Sequence, residues 1–288
     1  MTRIAAASAL PRIGIMQGRL SPRPKDRLQA FPSQSWRQEF SAAHALGLDA
    51  IEWIFEVPGA SDNPLVWQHG RSLIRDVQTL HGVYVDSICA DYFMTRQLGG
   101  VSERERHANV RVLDLLIEWT AELGATRILL PLLEEAAPSS EAKRIQVEES
   151  IRTVLPTAEK HGVVLGLEME LPGAEYAAFV RSFDSPYLRA YYDTGNSAAQ
   201  GFDIAEDVKP LLPLLEAVHV KDRMRGGTSV PLGRGDANLT GFFRTLAQAD
   251  VHVPVTLQHY FETDPDYDAL RALNFVRMEL GRAGQAAA

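Results

Sequence analysis

The segment HGVVLGLEMELPGAEYAAFVRSFDSPYLRAYYD, residues 161–193, decides the fold. Gly162 tolerates the left-handed backbone that ends a helix. The run VVLGLEME (163–170) that follows it is apolar at both odd and even positions, as a strand covered on both faces of a parallel sheet requires. A helical pattern (174–184) then leads into a second run, LRAYYD (188–193). Strand, crossover helix and strand make one βαβ unit, and the same beat extends in both directions. RIGIMQ (12–17), AIEWIFE (50–56), YVDSICA (84–90) and RILLPLL (127–133) precede it; AVHVKD (217–222) and VPVTLQ (253–258) follow, which makes eight runs. Helical patterns at 36–46, 65–81, 103–123, 140–161, 174–184, 203–215, 239–249 and 267–282 alternate with them. In 103–123, Val110, Leu113, Leu116, Ile117 and Leu123 form one apolar stripe. Pro156 is expected to kink the fourth helix without splitting the domain.

Eight β/α repeats point to the α/β class and a single (β/α)8 TIM barrel spanning 1–288, with flexible tails expected at 1–10 and 283–288. An open dinucleotide-binding sheet would carry a Gly-x-Gly-x-x-Gly turn after an early strand. The first run instead continues as GIMQGRLSP. Of the 288 residues 45% are hydrophobic, which excludes a disordered chain. The formal charge of −8, from 29 basic and 37 acidic residues, argues against nucleic acid as a partner, because phosphate binding needs basic surface. Lone Cys89 has no internal disulfide partner and reads as a packed core thiol. No apolar run reaches membrane-spanning length, and MTRIAAASALPR lacks the apolar core of a signal peptide, so no membrane partner and a cytoplasmic location are expected.

In such a barrel the chemistry sits at the C-terminal ends of the strands. The early strands end in Gln17 and Arg19, in Glu52 and Glu56, at Asp91, and in Glu134 and Glu135. The last four are more telling. Glu168, Asp193, His219 and Gln258 each interrupt or end an apolar run, where an unpaired polar group is costly to bury. Two carboxylates, an imidazole and an amide oxygen converging from adjacent strands form a ligand set for a divalent metal: Mn²⁺, Co²⁺, Mg²⁺ or Zn²⁺. The loop KDRMRGGTSVPLGRGD (221–236) adds Lys221, Arg223, Arg225 and Arg234, a basic run suited to a phosphate. Trp53, Phe55, Tyr92 and Phe93 lie near the predicted strand ends and are candidates for a pocket wall.

In order along the chain, GIMQGRLSP, IEWIFE, LGLEMEL, YYDTGN, VHVKDR and PLGRGD resemble the xylose isomerase-like TIM-barrel superfamily, and within it the D-tagatose 3-epimerase-like sugar phosphate isomerases and epimerases. The resemblance covers about residues 12–260. It implies a divalent metal, commonly Mn²⁺, Co²⁺ or Mg²⁺, held by Glu, Asp, His and a final Glu on strands five to eight. Carried over, the first three are Glu168, Asp193 and His219; the fourth position holds Gln258, a departure. In the epimerases the two glutamates exchange protons on opposite faces of the substrate carbon, which an amide cannot do. Asn196 stands where those enzymes tend to have a His, and Arg223 falls at a substrate-binding position. A dimer or tetramer is also implied.

The expected activity is therefore a metal-dependent isomerisation or epimerisation of a keto-sugar, keto-polyol or sugar phosphate, through proton abstraction next to the carbonyl and a metal-stabilised enediolate. Glu168 is the expected base, with Glu134 or Glu135 as a second carboxylate; Gln17, Arg19, Glu52, Asn196, Lys221 and Arg223 are expected to contact substrate. Loss of the fourth carboxylate favours one-base chemistry, including elimination of water as in a dehydratase. A non-catalytic sugar-binding barrel with a decayed site is the other alternative. Abasic-DNA cleavage needs a histidine-rich metal cluster, and only His219 and His259 lie at strand ends.

Overall fold

A computed structural model describes residues 11–22, 27, 29–57, 59–261 and 264–287. The eight expected runs form eight parallel strands: β1 (Ile13–Met16), β2 (Ala50–Ile54), β3 (Tyr84–Cys89), β4 (Arg127–Leu132), β5 (Val164–Met169), β6 (Leu188–Asp193), β7 (Leu215–Val220) and β8 (Val255–Leu257). They close in the order β1-β8-β7-β6-β5-β4-β3-β2, which makes the chain a (β/α)8 TIM barrel. Gly47, Gly82, Gly124 and Gly162 end the helices that feed β2 to β5, all in left-handed backbone.

Strand alternation sorts the core into two shells. Leu165, Leu167 and Met169 of β5 and Val218 and Val220 of β7 pack outward against the helices. Met16, Ile54, Cys89, Leu129, Tyr191 and Ala217 fill the barrel interior. Glu52, Asp193 and His219 share this inward parity, two residues from Ile54, Tyr191 and Ala217, and Glu168 shares the parity of Gly166. Register completes the placement, because Asp193 pairs with His219 across β6 and β7. Gly166 also faces inward, where a Cβ would lie 3.0 Å from Tyr191 Cδ2. The missing side chain leaves room for the Tyr191 phenol.

Helix Glu103–Leu123 starts on a capping box between Ser102 and Glu105 and buries Val110, Leu113, Leu116, Ile117 and Leu123, as its stripe requires. Leu116→Ala is expected to cost about 2–5 kcal/mol, measured by denaturant unfolding, because the residue is wholly buried. Helix Glu141–His161 continues across Pro156. The expected helix at 203–215 is instead a short α-helix, Ile204–Asp207, followed by a 3-10 segment, Lys209–Leu214. Pro210 and Pro213 remove the amide donors that an α-helix would need. The last helix, Pro265–Ala287, runs through most of the expected C-terminal tail; the tail at 1–10 lies outside the described residues. Among the described residues, no helix is long and apolar enough to cross a membrane.

Candidate metal and sugar site

Glu168, Asp193 and His219 meet at the C-terminal end of the barrel, all buried, with one ligand atom from each lying within 4.8 Å of the others. His219 Nδ1 is 3.7 Å from Asp193 Oδ2 and 4.0 Å from Glu168 Oε2. It is fully buried and has no hydrogen-bond partner. Two ligands bound at ~2.1 Å to one ion lie at most ~4.2 Å apart, so the two separations from His219 suit a shared cation. A nitrogen and two carboxylates are the donor chemistry such an ion takes.

Each group is aimed by a second contact. Asp193 caps helix Thr194–Ala199 through Oδ1, which accepts from Asn196 N at 2.7 Å. Its Oδ2 lies 2.8 Å from Lys221 Nζ. Glu168 Oε1 accepts from Asn196 Nδ2 at 2.7 Å, and Asn196 Oδ1 accepts from Arg223 Nη1 at 2.9 Å. His219 Nε2 lies 2.5 Å from Glu52 Oε1, while Glu52 Oε2 accepts from Ser87 Oγ at 2.6 Å and Tyr191 OH at 2.7 Å. A carboxylate on the far nitrogen is the usual support of a metal-binding histidine.

The charges follow from this packing. Burial and then the nearby Asp193 charge push Glu168 up to about 8. Burial also raises Asp193, yet the Lys221 ammonium and His219 outweigh it and hold that carboxyl well below the usual range. Burial pulls His219 down, but Glu52 and Asp193 outweigh burial and carry it up to about 10. A cation binding here would displace protons from Glu168 and His219.

Beside the triad, a cavity of about 200 Å³ is lined by Arg19, Gln29, Lys221, Gln258 and His259 among others. Lys221 Nζ donates to Gln258 Oε1 at 2.8 Å, so the ammonium stands between Gln258 and Asp193. Gln258 Nε2 donates to Gln29 Oε1 at 3.1 Å, and Gln29 Nε2 donates to Asp91 Oδ2 at 2.6 Å. Arg19 Nη2 also reaches Gln29 Oε1, at 3.2 Å. Burial and then Arg19 push His259 down to about 3, so this cavity-lining imidazole is neutral. Gln29 gave no signal in sequence, since it lies in a loop without periodicity.

The other expected site residues take the following places. Glu52, expected to touch substrate, lies beneath His219 with both carboxylate oxygens occupied. Arg223 donates to Gly227 O and Asn196 Oδ1, and Asn196 is held between Arg223 and Glu168. Glu134 is exposed on a 3-10 turn at φ 48° and is not among the clustered acidic groups. The inward parity of β4 belongs to Leu129 and Pro131, which leaves no carboxylate there. Gln17 Oε1 accepts from Ile54 N at 2.9 Å and ties β1 to β2. Trp53 and Phe55 pack in the outer shell, and Phe55 stacks on Tyr92 with centroids 5.2 Å apart. In the 221–236 loop, buried Asp222 accepts from the backbone N–H groups of Gly233, Arg234, Gly235 and Ala237, which leaves the basic side chains to other contacts. Cys89 is a buried thiol, as expected.

A family model described as a xylose isomerase-like TIM barrel matches residues 40–278. L-ribulose-5-phosphate 3-epimerase UlaE of Escherichia coli O1:K1 / APEC is 24% identical over 270 residues, 89% of this chain and 94% of its own. The structure of an L-ribulose 3-epimerase superposes with a TM-score of 0.75 at 19% identity, covering 96% of this chain and 97% of that one. The IOLI protein, solved with a bound zinc atom, superposes with a TM-score of 0.75 at 14% identity, covering 94% and 99%.

Proposed function

The chain belongs to the xylose isomerase-like TIM-barrel family, and from that premise we propose that it is a divalent-metal-dependent isomerase or epimerase of a keto-sugar, keto-polyol or sugar phosphate. The observation that carries this reading is the buried, unpartnered His219 Nδ1 facing two carboxylates. Glu168, Asp193 and His219 would hold the ion, and Gln258, whose amide oxygen accepts from Lys221 Nζ, would join as a fourth ligand only on release of that ammonium; Mn²⁺, Co²⁺, Mg²⁺ and Zn²⁺ all suit the set. When bound, a divalent ion supplies charge compensation for the oxyanion that develops as a proton leaves the carbon next to a carbonyl.

The chain's own residues do the rest. Glu168 takes that proton. Asn196 fixes one carboxylate oxygen of Glu168, and Arg223 fixes the Asn196 amide, so the second oxygen is presented in one orientation. Lys221, Gln258, Gln29 and Arg19 offer donors along the cavity to the hydroxyls of a polyol. Arg19 and Lys221 give the cavity positive charge, which suits a phosphorylated substrate, in keeping with the phosphate ester in the name of the Escherichia coli relative. Gln258 holds no exchangeable acid, which favours one-face chemistry, an aldose–ketose shift or elimination of water as in a dehydratase; epimerisation would need a second proton donor on the opposite face.

The test is incubation of metal-loaded protein in D₂O with a panel of ketoses and ketose phosphates, L-ribulose 5-phosphate among them. Deuterium entering the carbon next to the carbonyl, read by NMR, is the expected result. A new enone or diketone absorbance would assign the dehydratase reading. Metal retained with no exchange into any member of the panel would overturn both in favour of a binding barrel.

A further inference from the structure

We propose that Glu39 is a positioning residue that holds Arg19 in the cavity through the backbone of the Gly18–Leu20 turn; this rests on the reading of that cavity as the sugar site. Glu39 lies on helix Trp36–Leu46, outside the barrel, and takes no part in the proton chemistry, yet it is only 1% exposed. Its Oε1 accepts from Gly18 N at 2.9 Å and Leu20 N at 3.2 Å, and its Oε2 accepts from Gly18 N at 3.1 Å. These amides flank Arg19 on both sides. A buried carboxylate thus fixes the backbone on either side of one side chain.

The turn has little freedom to settle elsewhere. Gly18 has φ 84°, and a Cβ there would lie 2.8 Å from Ala30 O, so backbone from the 30s presses against it. Ser21 Oγ pairs with Ser35 Oγ at 2.8 Å, a second tie to the start of the same helix. Arg19, 7% exposed, leaves this turn to reach Gln29 and lies over the Phe261 ring at 5.3 Å. Burial pushes the Glu39 carboxyl up to about 7, against the bonds from Gly18, Ser21 and Leu20 and the Arg19 charge, which lower it. Oε1 alone serves both flanking amides, so protonation at Oε2 leaves the turn intact. Reach, and not charge, is what the position requires.

That distinction sets the test. Glu39→Gln keeps Oε1 and is expected to behave as the wild type. Glu39→Asp keeps the charge but shortens the reach, and is expected to fail together with Glu39→Ala. Phenylglyoxal modification, mapped by peptide mass, reads Arg19 directly and needs no substrate. About ten-fold faster labelling of Arg19 is expected in the Ala and Asp variants by local opening. Buried Arg71 and Arg106 serve as internal controls and should keep their wild-type rates. Wild-type protection of Arg19 in Glu39→Ala, or equal acceleration at all three arginines, overturns the proposal. With a ketose that the wild type turns over, Glu39→Ala should raise KM about ten-fold with kcat within about three-fold, and should add nothing in an Arg19→Ala background. Additive effects would overturn it. If the wild type turns over no ketose, the function reading fails, and the labelling still decides the role of Glu39.

Discussion

Glu168→Gln is expected to lower turnover by about 10³-fold or more, with the fold intact. The Arg223–Asn196–Glu168 chain makes the substitution informative. Arg223 donates to Asn196 Oδ1, so Asn196 must offer its Nδ2 to residue 168. A glutamine there meets that donor with its Oε1. Its Nε2 is then turned toward the side that faces His219 Nδ1, where an amide nitrogen can neither accept a proton nor bind a cation. The variant therefore keeps its shape and loses both roles. Stability gives a second readout with a definite sign. Glu168 has a folded-state value of about 8, above its ordinary value. Its protonated form is favoured by folding, and that stabilisation is complete below the ordinary carboxylate range and lost as pH rises through about 8. Melting of the metal-free wild type should fall over this window, and the fall should be smaller in Glu168→Gln. Retained turnover in the variant would remove Glu168 as the base.

The barrel was legible because its signals are local. Gly162 stops a helix and VVLGLEME begins a strand within the same few residues, and the structure repeats that pattern at Gly47, Gly82 and Gly124. Where local signals conflict, the expectation fails: KPLLPL carries helical periodicity, but its prolines enforce a 3-10 path. The triad was legible for a related reason, since a charge inside an apolar strand demands a partner. Its support was not legible. Glu52 and His219 are 167 residues apart and meet only because β2 and β7 close into one cylinder. Tyr191 reads as one of two adjacent strand tyrosines, and only the space left by Gly166 turns it into a donor to Glu52. The place of Glu134 outside the triad can be read from parity. Leu129 points inward, so Pro131 and Leu133 continue that side and Glu134 does not.

Removing the divalent ion with a chelator is expected to abolish turnover, and the affinity for returned Mn²⁺ should rise with pH between about 6 and 9, by up to ten-fold per pH unit for each proton displaced. The direction follows from two raised groups. Glu168 is raised to about 8 and His219 to about 10, so near neutrality both retain protons that must leave before their lone pairs can bind a cation. Calorimetric titration in two buffers of different ionisation enthalpy should therefore record proton release on binding. Glu52→Gln tests whether the imidazole is a ligand. Ser87 and Tyr191 both donate to Glu52 Oε2, so a glutamine would keep its oxygen on their side and turn its Nε2 toward His219 Nε2. That donor needs a lone pair on Nε2, which forces the imidazole proton onto Nδ1, the atom that faces Asp193 and Glu168. Affinity should fall about 10- to 100-fold. An unchanged affinity, with no proton released in the wild type, would mean that Nδ1 is not the atom that receives the ion.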